Sequence, residues 1–366
     1  MRHVICLLLT CVVSASAQTP SSTPVPLTVK DLMRGPGLYG HAPRGLRWSG
    51  DGTRIYFEWK QYSDPLTKEF DTWVASRDGS GLRKLSEEEA KLAPPAVGEE
   101  NEGRTKVVYS DGGDICIHDR NTGQRRLLMK TKEAEADPRF TQDGSKVIYT
   151  RSGNLFSIRL SDGYVEQLTD IRPAGSPPDE PKKGTESQEI IKKEERALLA
   201  AVDEMAKKRE EREAEQKKEN PRKPWILQGR QRVLRMQLTP DEKTVVALVD
   251  EPAADAVRAQ VSFPVTESGY TEPRPTRTKA GDMQGKSRMA LISVETGELK
   301  WADHGVKVKD DKGKETPREV SWGRPEFNRD GKLAVLARAA DNKDRWVLLV
   351  DTKTGASRAI DQQHDD

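Results

Sequence analysis

The chain has 366 residues, of which 33% are charged, 34% hydrophobic and 5% aromatic, a composition typical of a globular protein and not of one embedded in a membrane. Its 61 basic and 59 acidic residues leave a formal charge of +2 at pH 7. This balance provides no basic surface that could hold a polyanion, so nucleic acid is not an expected partner.

The first 17 residues have the features of a secretory signal peptide. A basic start at residues 1–3 is followed by an apolar run over residues 4–13 and by the small residues Ala15 and Ala17 at a cleavage position. A run of about ten residues is too short to cross a bilayer as a helix, so a retained anchor is the weaker alternative. Lipidation of Cys11 is a second alternative to cleavage as an ordinary signal peptide. We expect cleavage after Ala17, export to the periplasm or beyond, and no membrane span in the mature chain.

Cleavage at that position would leave Cys116 as the single cysteine, so the sequence predicts no intrachain disulfide. Cys116 lies in the strand-like run at residues 115–118. A reactive thiol needs a positively charged and partly exposed setting, which the sequence does not display. We therefore expect Cys116 to be a small buried apolar residue.

A short cassette recurs along the rest of the chain. An apolar strand runs into an Asp-Gly turn or a near relative, further strands follow, and a second turn closes the unit. Asp and Gly tolerate the positive φ of tight turns, and β-branched and aromatic residues fill the pleated segments between them. Each copy therefore predicts a four-stranded antiparallel blade. The copies lie near residues 45–86, 94–130, 138–169, 233–302 and 320–361, the second being the weakest.

The spacing of the cassettes indicates how they are arranged. Two units separate Trp48 from Phe140, which gives roughly 46 residues per unit, near the roughly 40–50-residue period of propeller blades. One such blade cannot cover both of its own faces, so the copies must stack. We expect an all-β propeller of about five blades over residues 18–366, as an incomplete ring, with a β-sandwich as the alternative.

Two insertions interrupt the blades. Residues 182–219 predict a charged helix, in which an apolar stripe ends near Met205 and a wholly polar stretch follows at residues 207–219. This helix is either an arm that contacts a partner or a solvated surface excursion. Residues 252–287 predict a loop insertion within the fourth blade.

Parts of the chain resemble a known family. The loop at residues 264–281, the segment at residues 225–233 and the Asp-Gly blades are similar to the N-terminal propeller of secreted bacterial peptidases of the prolyl oligopeptidase family, the dipeptidyl peptidase IV-like group. The resemblance covers residues 28–366. The blade signals alone are shared with other periplasmic propellers, including TolB-like ones.

The resemblance implies that chemistry belongs to a C-terminal α/β-hydrolase domain with a Gly-x-Ser-x-Gly nucleophile, which this chain lacks. We therefore predict no catalytic residue, no cofactor and no metal site in it, and expect it to be the front portion of a longer protein whose hydrolase domain is absent here. The family's propeller can supply paired glutamates that bind a substrate's amine. The pairs Glu99–Glu100, Glu194–Glu195 and Glu210–Glu211 lack the sequence context of that site.

The scattered histidines and the acidic turns at residues 310–311 and 341–344 do not have the spacing of metal ligands. The expected function is therefore a non-catalytic propeller that screens peptide substrates by size for a secreted serine exopeptidase. The alternative is a stand-alone, TolB-like binding or scaffolding propeller. Whether the chain itself is an enzyme stays open, because the family it resembles consists of peptidases.

Overall fold

The computed structural model describes residues 28–65, 67–176, 190, 200–219, 222–253, 257–278, 285–309 and 313–365. The signal peptide predicted at residues 1–17 lies outside the described residues. So do residues 182–189 and 191–199 of the predicted helical insertion.

Five four-stranded antiparallel sheets, called blades 1 to 5, follow one another along the described chain. Their strands are β1 (Arg44–Trp48), β2 (Arg54–Trp59), β3 (Asp71–Ser76) and β4 (Arg83–Lys84) in blade 1; β5 (Glu99–Glu100), β6 (Lys106–Asp111), β7 (Asp114–Asp119) and β8 (Arg125–Met129) in blade 2; β9 (Glu135–Phe140), β10 (Lys146–Arg151), β11 (Asn154–Arg159) and β12 (Val165–Gln167) in blade 3; β15 (Arg232–Leu238), β16 (Thr244–Glu251), β19 (Lys286–Ser293) and β20 (Leu299–Trp301) in blade 4; and β23 (Val320–Phe327), β24 (Leu333–Ala339), β25 (Asp344–Val350) and β26 (Ser357–His364) in blade 5.

The remaining described elements connect or decorate the blades. They are the helices α1 (Val29–Leu32), α2 (Pro36–Tyr39), α3 (Glu87–Leu92) and α4 (Ala200–Glu219), and the paired strands β13 (Ile171–Arg172) with β14 (Trp225–Ile226), β17 (Arg258–Phe263) with β18 (Glu272–Thr278), and β21 (Lys307–Lys309) with β22 (Glu315–Pro317).

Consecutive blades pack face to face, and strand β16 shows how. Val245, Ala247 and Val249 pack in a cluster with blade 3, whereas Val246 and Leu248 pack in a cluster with blade 5. Successive side chains of a strand point to opposite faces, so a strand covered on both sides is apolar at consecutive positions. All five of these side chains are at most 8% exposed.

The same alternation joins the earlier blades. In strand β10, Val147 and Tyr149 pack with blade 2 and Ile148 packs with blade 4. Blade 1 has a smaller cluster in which Val74 packs with Leu85 and with Ala93, at the end of α3. The sheets therefore stack in series, which excludes the two-layer β-sandwich and confirms the all-β propeller predicted from the cassettes.

Blade 5 is covered on one face. Leu333, Val335 and Ala337 of β24 are buried against blade 4. Between them, Leu336 is 44% exposed. The strand therefore alternates between buried and exposed positions, as expected for a sheet with one covered face.

The insertion at residues 252–287 was predicted to be a loop, and this part of the prediction is wrong. Its described residues contain β17 and β18, which pair as an antiparallel ribbon between β16 and β19 of blade 4. Pro273 and Pro275 lie in β18. A proline lacks a backbone donor but is tolerated in an edge strand, and both strands of a two-stranded ribbon are edges.

Two further boundaries are set by the structure. The last strand of blade 5 extends to His364, past the predicted end at residue 361, and the side chain of His364 lies 2.7 Å from the carboxylate of Asp344. In the helical insertion, Met205 of α4 is 72% exposed. The apolar stripe read from the sequence therefore faces solvent at this residue.

Among the described residues, no helix has both the length and the apolar character needed to cross a membrane.

The junction between blades 1 and 2 provides a test of blade packing. A Cβ atom at Gly50, in the turn between β1 and β2, would lie 1.6 Å from the carbonyl oxygen of Arg120 in blade 2. Because the obstructing atom belongs to the backbone, we expect Gly50→Ala to lower the free energy of unfolding by about 1–3 kcal/mol, measured as a lower urea midpoint.

Gly103→Ala is the matched control, because the nearest atom to its new Cβ would be a side-chain atom of Thr105 at 3.9 Å. We expect this variant to change stability by no more than about 0.5 kcal/mol. Equal midpoints for the two variants would contradict the close approach of blades 1 and 2.

Candidate binding site at the channel mouth

The first strands of blades 2 to 5 converge on one channel. Arg324 of blade 5 lies 3.8 Å from the carboxylate of Glu99 in blade 2, and Arg329 lies 3.6 Å from that of Glu102. The amide of Gln142 in blade 3 donates a hydrogen bond of 3.0 Å to the carbonyl oxygen of Arg329. These contacts join blades that are not consecutive along the chain, so they cross the channel and narrow its mouth.

The turn that ends each first strand is held by a polar side chain. In blade 3, the Thr141 hydroxyl donates to Asp143 at 2.7 Å and accepts from the backbone N–H of Lys146 at 3.1 Å. Thr239 of blade 4 makes the equivalent bonds to Asp241 and Thr244. Ser49, Asn101 and Asn328 occupy the same position in the other three blades. The five blades are therefore aligned on this residue, here called the cap residue.

The alignment fixes where neighbouring side chains point. The residue directly before the cap packs on the preceding blade in three cases, Phe140, Leu238 and Phe327. Because strand side chains alternate, the residue two before the cap lies on the side of the following blade, at the inner edge of the sheet. In blades 2 to 5 this position holds Glu99, Arg139, Gln237 and Glu326. The positions around the channel are thus polar or charged.

The first strands are also bulged. In β1, β9, β15 and β23 the register with the second strand shifts by a residue shortly before the cap. Gly45 and Asp137, each four residues before its cap, have positive φ angles of 60° and 50°. A bulge bends its strand and re-aims the side chains near it. Asp137 and Arg139 both reach the channel mouth beside such a bulge.

A cavity of about 330 Å³ occupies the channel mouth. Its floor is apolar and its rim carries charged and amide side chains. The floor is formed by Phe140, Ile148, Leu155, Met236, Leu238 and Phe327, and the rim includes Glu100, Glu102, Asp137, Arg139, Gln142, Gln237, Glu242 and Arg329. The site therefore offers both an apolar surface and groups that hydrogen-bond, as ligand pockets commonly do.

The three glutamates at the rim are ion-paired. Glu100 lies 2.7 Å from Arg120, Glu102 lies 3.6 Å from Arg329, and Glu242 contacts Lys146 at 2.5 Å. The sequence reading gave Glu99–Glu100 no functional place, yet the structure puts both residues at the channel as the short strand β5. The pair Glu210–Glu211 lies on α4, and Glu194–Glu195 falls outside the described residues.

Arg139 differs from the rim glutamates. Among the described residues its guanidinium has no hydrogen-bond or ion-pair partner, and neither does that of Arg235 in β15. Burial is the main cause that lowers the pKa of Arg139. The negative charges of Glu99 and Asp137 act in the opposite direction, and the positive charges of Arg324 and Arg235 add to the lowering. Partly buried, like-charged guanidiniums thus lie within electrostatic range of each other at this mouth.

Gln237 is a second unsatisfied group. Its side-chain oxygen is buried and has no hydrogen-bond partner in the described structure. Buried amides normally find partners, so an unpaired one beside a cavity is informative. Rotation of the amide by 180° would present its N–H groups at the same place.

Two side chains outside the channel, Cys116 and His118, could in principle act as nucleophile or base, and both are buried. Cys116 is completely buried, as predicted, and burial raises the pKa of its thiol, to which Arg125 donates a hydrogen bond of 3.0 Å. His118 is 2% exposed, and burial, together with the charge of Arg120, lowers the pKa of its imidazole. Within the described ranges, no group of three His, Cys, Asp or Glu side chains is arranged to hold a metal ion.

Comparisons with known proteins give structural neighbours only. No protein-family model matches the chain, and no curated protein matches it. Among solved structures, dipeptidyl peptidase 4 from Porphyromonas gingivalis is similar at 14% identity, over 93% of this chain and 43% of that one, with a TM-score of 0.44. TolB from Acinetobacter baumannii is similar at 13% identity, over 88% of this chain and 55% of that one, with a TM-score of 0.34. The chain thus spans less than half the length of the peptidase.

The cap turn at the channel mouth predicts a pH dependence. Hydrogen bonds from Thr141 and Ser145 lower the pKa of Asp143 to about 2. Because this carboxyl is less acidic in the unfolded chain, its contribution to stability is present above about pH 4 and is lost as the pH falls towards 2. We expect Asp143→Ala to lose less stability than the wild type between pH 5 and pH 2, measured by chemical denaturation.

Asp330→Ala is the matched control at the same position of blade 5, where the carboxylate makes one longer contact, 3.3 Å, to Asn328. We expect its acid dependence to follow the wild type more closely. An Asp143→Ala profile parallel to the wild type would contradict the role of this turn.

Proposed function

We propose that this chain is an exported, non-catalytic propeller that binds short peptide segments at its channel mouth, as the substrate-gating part of a serine exopeptidase of the dipeptidyl peptidase IV-like kind. The observation that carries this proposal is the narrowed channel mouth with its cavity of about 330 Å³. This volume is at the low end of the roughly 300–1,000 Å³ of small-ligand sites. It suits a few residues of extended peptide and excludes a folded domain.

The contacts across the channel are suited to gating. The ion pair between Arg329 and Glu102 involves side chains that are 86% and 58% exposed. Exposed pairs of this kind stabilise by about 1 kcal/mol at most. A peptide that binds with micromolar affinity gains about 8 kcal/mol, so its entry can separate them. Steric screening requires no catalytic residue in the propeller itself.

Two features of the sequence support the finer parts of the proposal. The signal-like residues 1–17 support export to the periplasm or beyond. The resemblance of residues 28–366 to peptidase propellers supports a partner hydrolase domain that receives the peptide. The alternative function is a stand-alone, TolB-like binding or scaffolding propeller, which would hold a peptide at the same mouth without a partner hydrolase domain.

We predict that the purified chain, given dipeptidyl chromogenic substrates and a fluorophosphonate probe, shows neither turnover nor labelling, because it has no Gly-x-Ser-x-Gly nucleophile. Either signal would disprove a non-catalytic role.

The nucleotide sequence beyond codon 366 distinguishes the two proposed functions. If the chain is a substrate gate, we expect a Gly-x-Ser-x-Gly motif with downstream Asp and His. If it is a stand-alone propeller, we expect a stop codon followed by an unrelated gene.

Peptide binding at the mouth is tested by filling the cavity. We predict that Gln237→Trp weakens the binding of short peptides by about tenfold or more in isothermal titration calorimetry, because the indole would occupy the space of the ligand. Gln260→Trp is the matched control, since Gln260 is exposed on the ribbon strand β17. Equal affinities for the two variants would place peptide binding elsewhere.

A further inference from the structure

The unpaired cations at the channel mouth identify the end of the ligand that the site recognises. All three rim glutamates have a cation within ion-pair distance, whereas the rim carboxylate of Asp137 has none among the described residues. In the described part of the chain Arg139 has no such anion, although it lines the cavity. A guanidinium that is partly buried without a partner is costly unless a ligand supplies the missing acceptor. An anion that accepts hydrogen bonds would therefore complement Arg139 at this cavity.

The side chains near Arg139 also suit an anionic ligand. Arg139 and Gln237 occupy the same position relative to their caps in adjacent blades, and Arg235 lies two residues before Gln237 on the same side of β15. The three groups belong to β9 and β15, the first strands of two adjacent blades. Arg139 and Gln237 line the cavity, and Arg235 lies within electrostatic range of Arg139. Guanidinium forks and an amide N–H₂ are suited to the two oxygens of a carboxylate, which arginine binds in a bidentate manner.

The floor of the cavity limits the kind of anion. The cavity that Arg139 lines also includes the apolar side chains of Ile148, Leu155 and Met236. The aliphatic part of a ligand would gain by burial there, at about 25 cal/mol per Å². A free inorganic anion would leave this surface wet. A residue that carries both an apolar side chain and a free carboxylate satisfies the rim and the floor together.

We propose that Arg139, with Arg235 and the amide of Gln237, binds the free carboxylate of a peptide C-terminus whose last residue is apolar, and that the cavity floor receives its side chain. The site rests on the peptide-binding function proposed above and makes it more specific, because it selects peptides by their C-terminal end. Internal segments and amidated peptides lack the carboxylate and bind weakly.

The test compares two forms of one peptide on the purified full chain. Acetyl-Ala-Gly-Leu with a free carboxylate and the same peptide with a C-terminal amide are titrated by isothermal calorimetry. We expect the acid to bind about tenfold tighter or more, the level at which a hydrogen bond to a charged group contributes. Arg139→Gln is expected to abolish this preference, and Arg139→Lys to keep part of it.

Arg126→Gln is the matched control, because Arg126 is exposed on the outer strand β8 and has no partner among the described residues. It is expected to leave the preference for the acid unchanged. The comparison of the two peptides on the wild type needs no variant, so it decides the matter even if Arg139→Gln does not fold.

Equal wild-type affinities for acid and amide would overturn the carboxylate site and leave peptide binding intact. Loss of the preference in Arg126→Gln as much as in Arg139→Gln would also overturn it. Inorganic phosphate that binds as tightly as the acid peptide would show a site for any small anion, and the assignment to a peptide terminus would be wrong. Absence of binding by either peptide would reject the proposed function together with the site.

Discussion

Burial of both faces of a four-stranded sheet is the requirement from which the rest of this structure follows. A blade with two apolar faces can cover neither by itself, so it is stable only when neighbouring blades pack on both faces. Strand β16 meets this requirement with Val245, Ala247 and Val249 directed one way and Val246 and Leu248 the other. A strand covered on both faces has consecutive apolar residues, as β16 does. A strand covered on one face has apolar residues at alternate positions, as β24 of blade 5 does.

The channel mouth is a product of that packing. Stacking places the first strand of each blade at the axis, and the cap residue sets all of these strands in one register. The residue before the cap is then committed to the core, and the residue two before it is free to face the channel. Charged side chains from blades that are far apart in sequence meet at the channel, and no short sequence motif predicts these contacts. The repeat itself thus places one polar side chain at the channel from each of blades 2 to 5, at the position two residues before the cap.

Much of the fold could be predicted from the sequence, because Asp-Gly turns and β-rich segments are local signals. Strand β5 was hard to predict since Glu99–Glu100 has no apolar residue, and its pairing with Val107 and Val108 is seen only in three dimensions. The ribbon of β17 and β18 was read as a loop because its prolines resemble breakers. The proposed binding site could not be predicted from the sequence. Arg139 and Arg235 are 96 positions apart, and nothing in either segment shows that both guanidiniums lack a partner among the described residues. The segment Arg139-Phe140-Thr141 does contain the alternation of a channel-facing residue, a core residue and a cap residue. That alternation becomes recognisable only when the same three positions are compared in the other blades.

The serial contact between blades has a consequence for how the molecule opens. Apart from the polar contacts across the channel mouth, each blade packs its apolar side chains only on its neighbours along the stack. Local stability therefore depends on how many neighbours a sheet has, as in a one-dimensional array. Blades 3 and 4, flanked on both sides, form a rigid middle, whereas blade 5 has a bare flank around Leu336. Local unfolding would begin at this exposed face of blade 5 and become rarer towards blades 3 and 4. Arg139 and Arg235 belong to blades 3 and 4, so they lie where local unfolding is expected to be rarest.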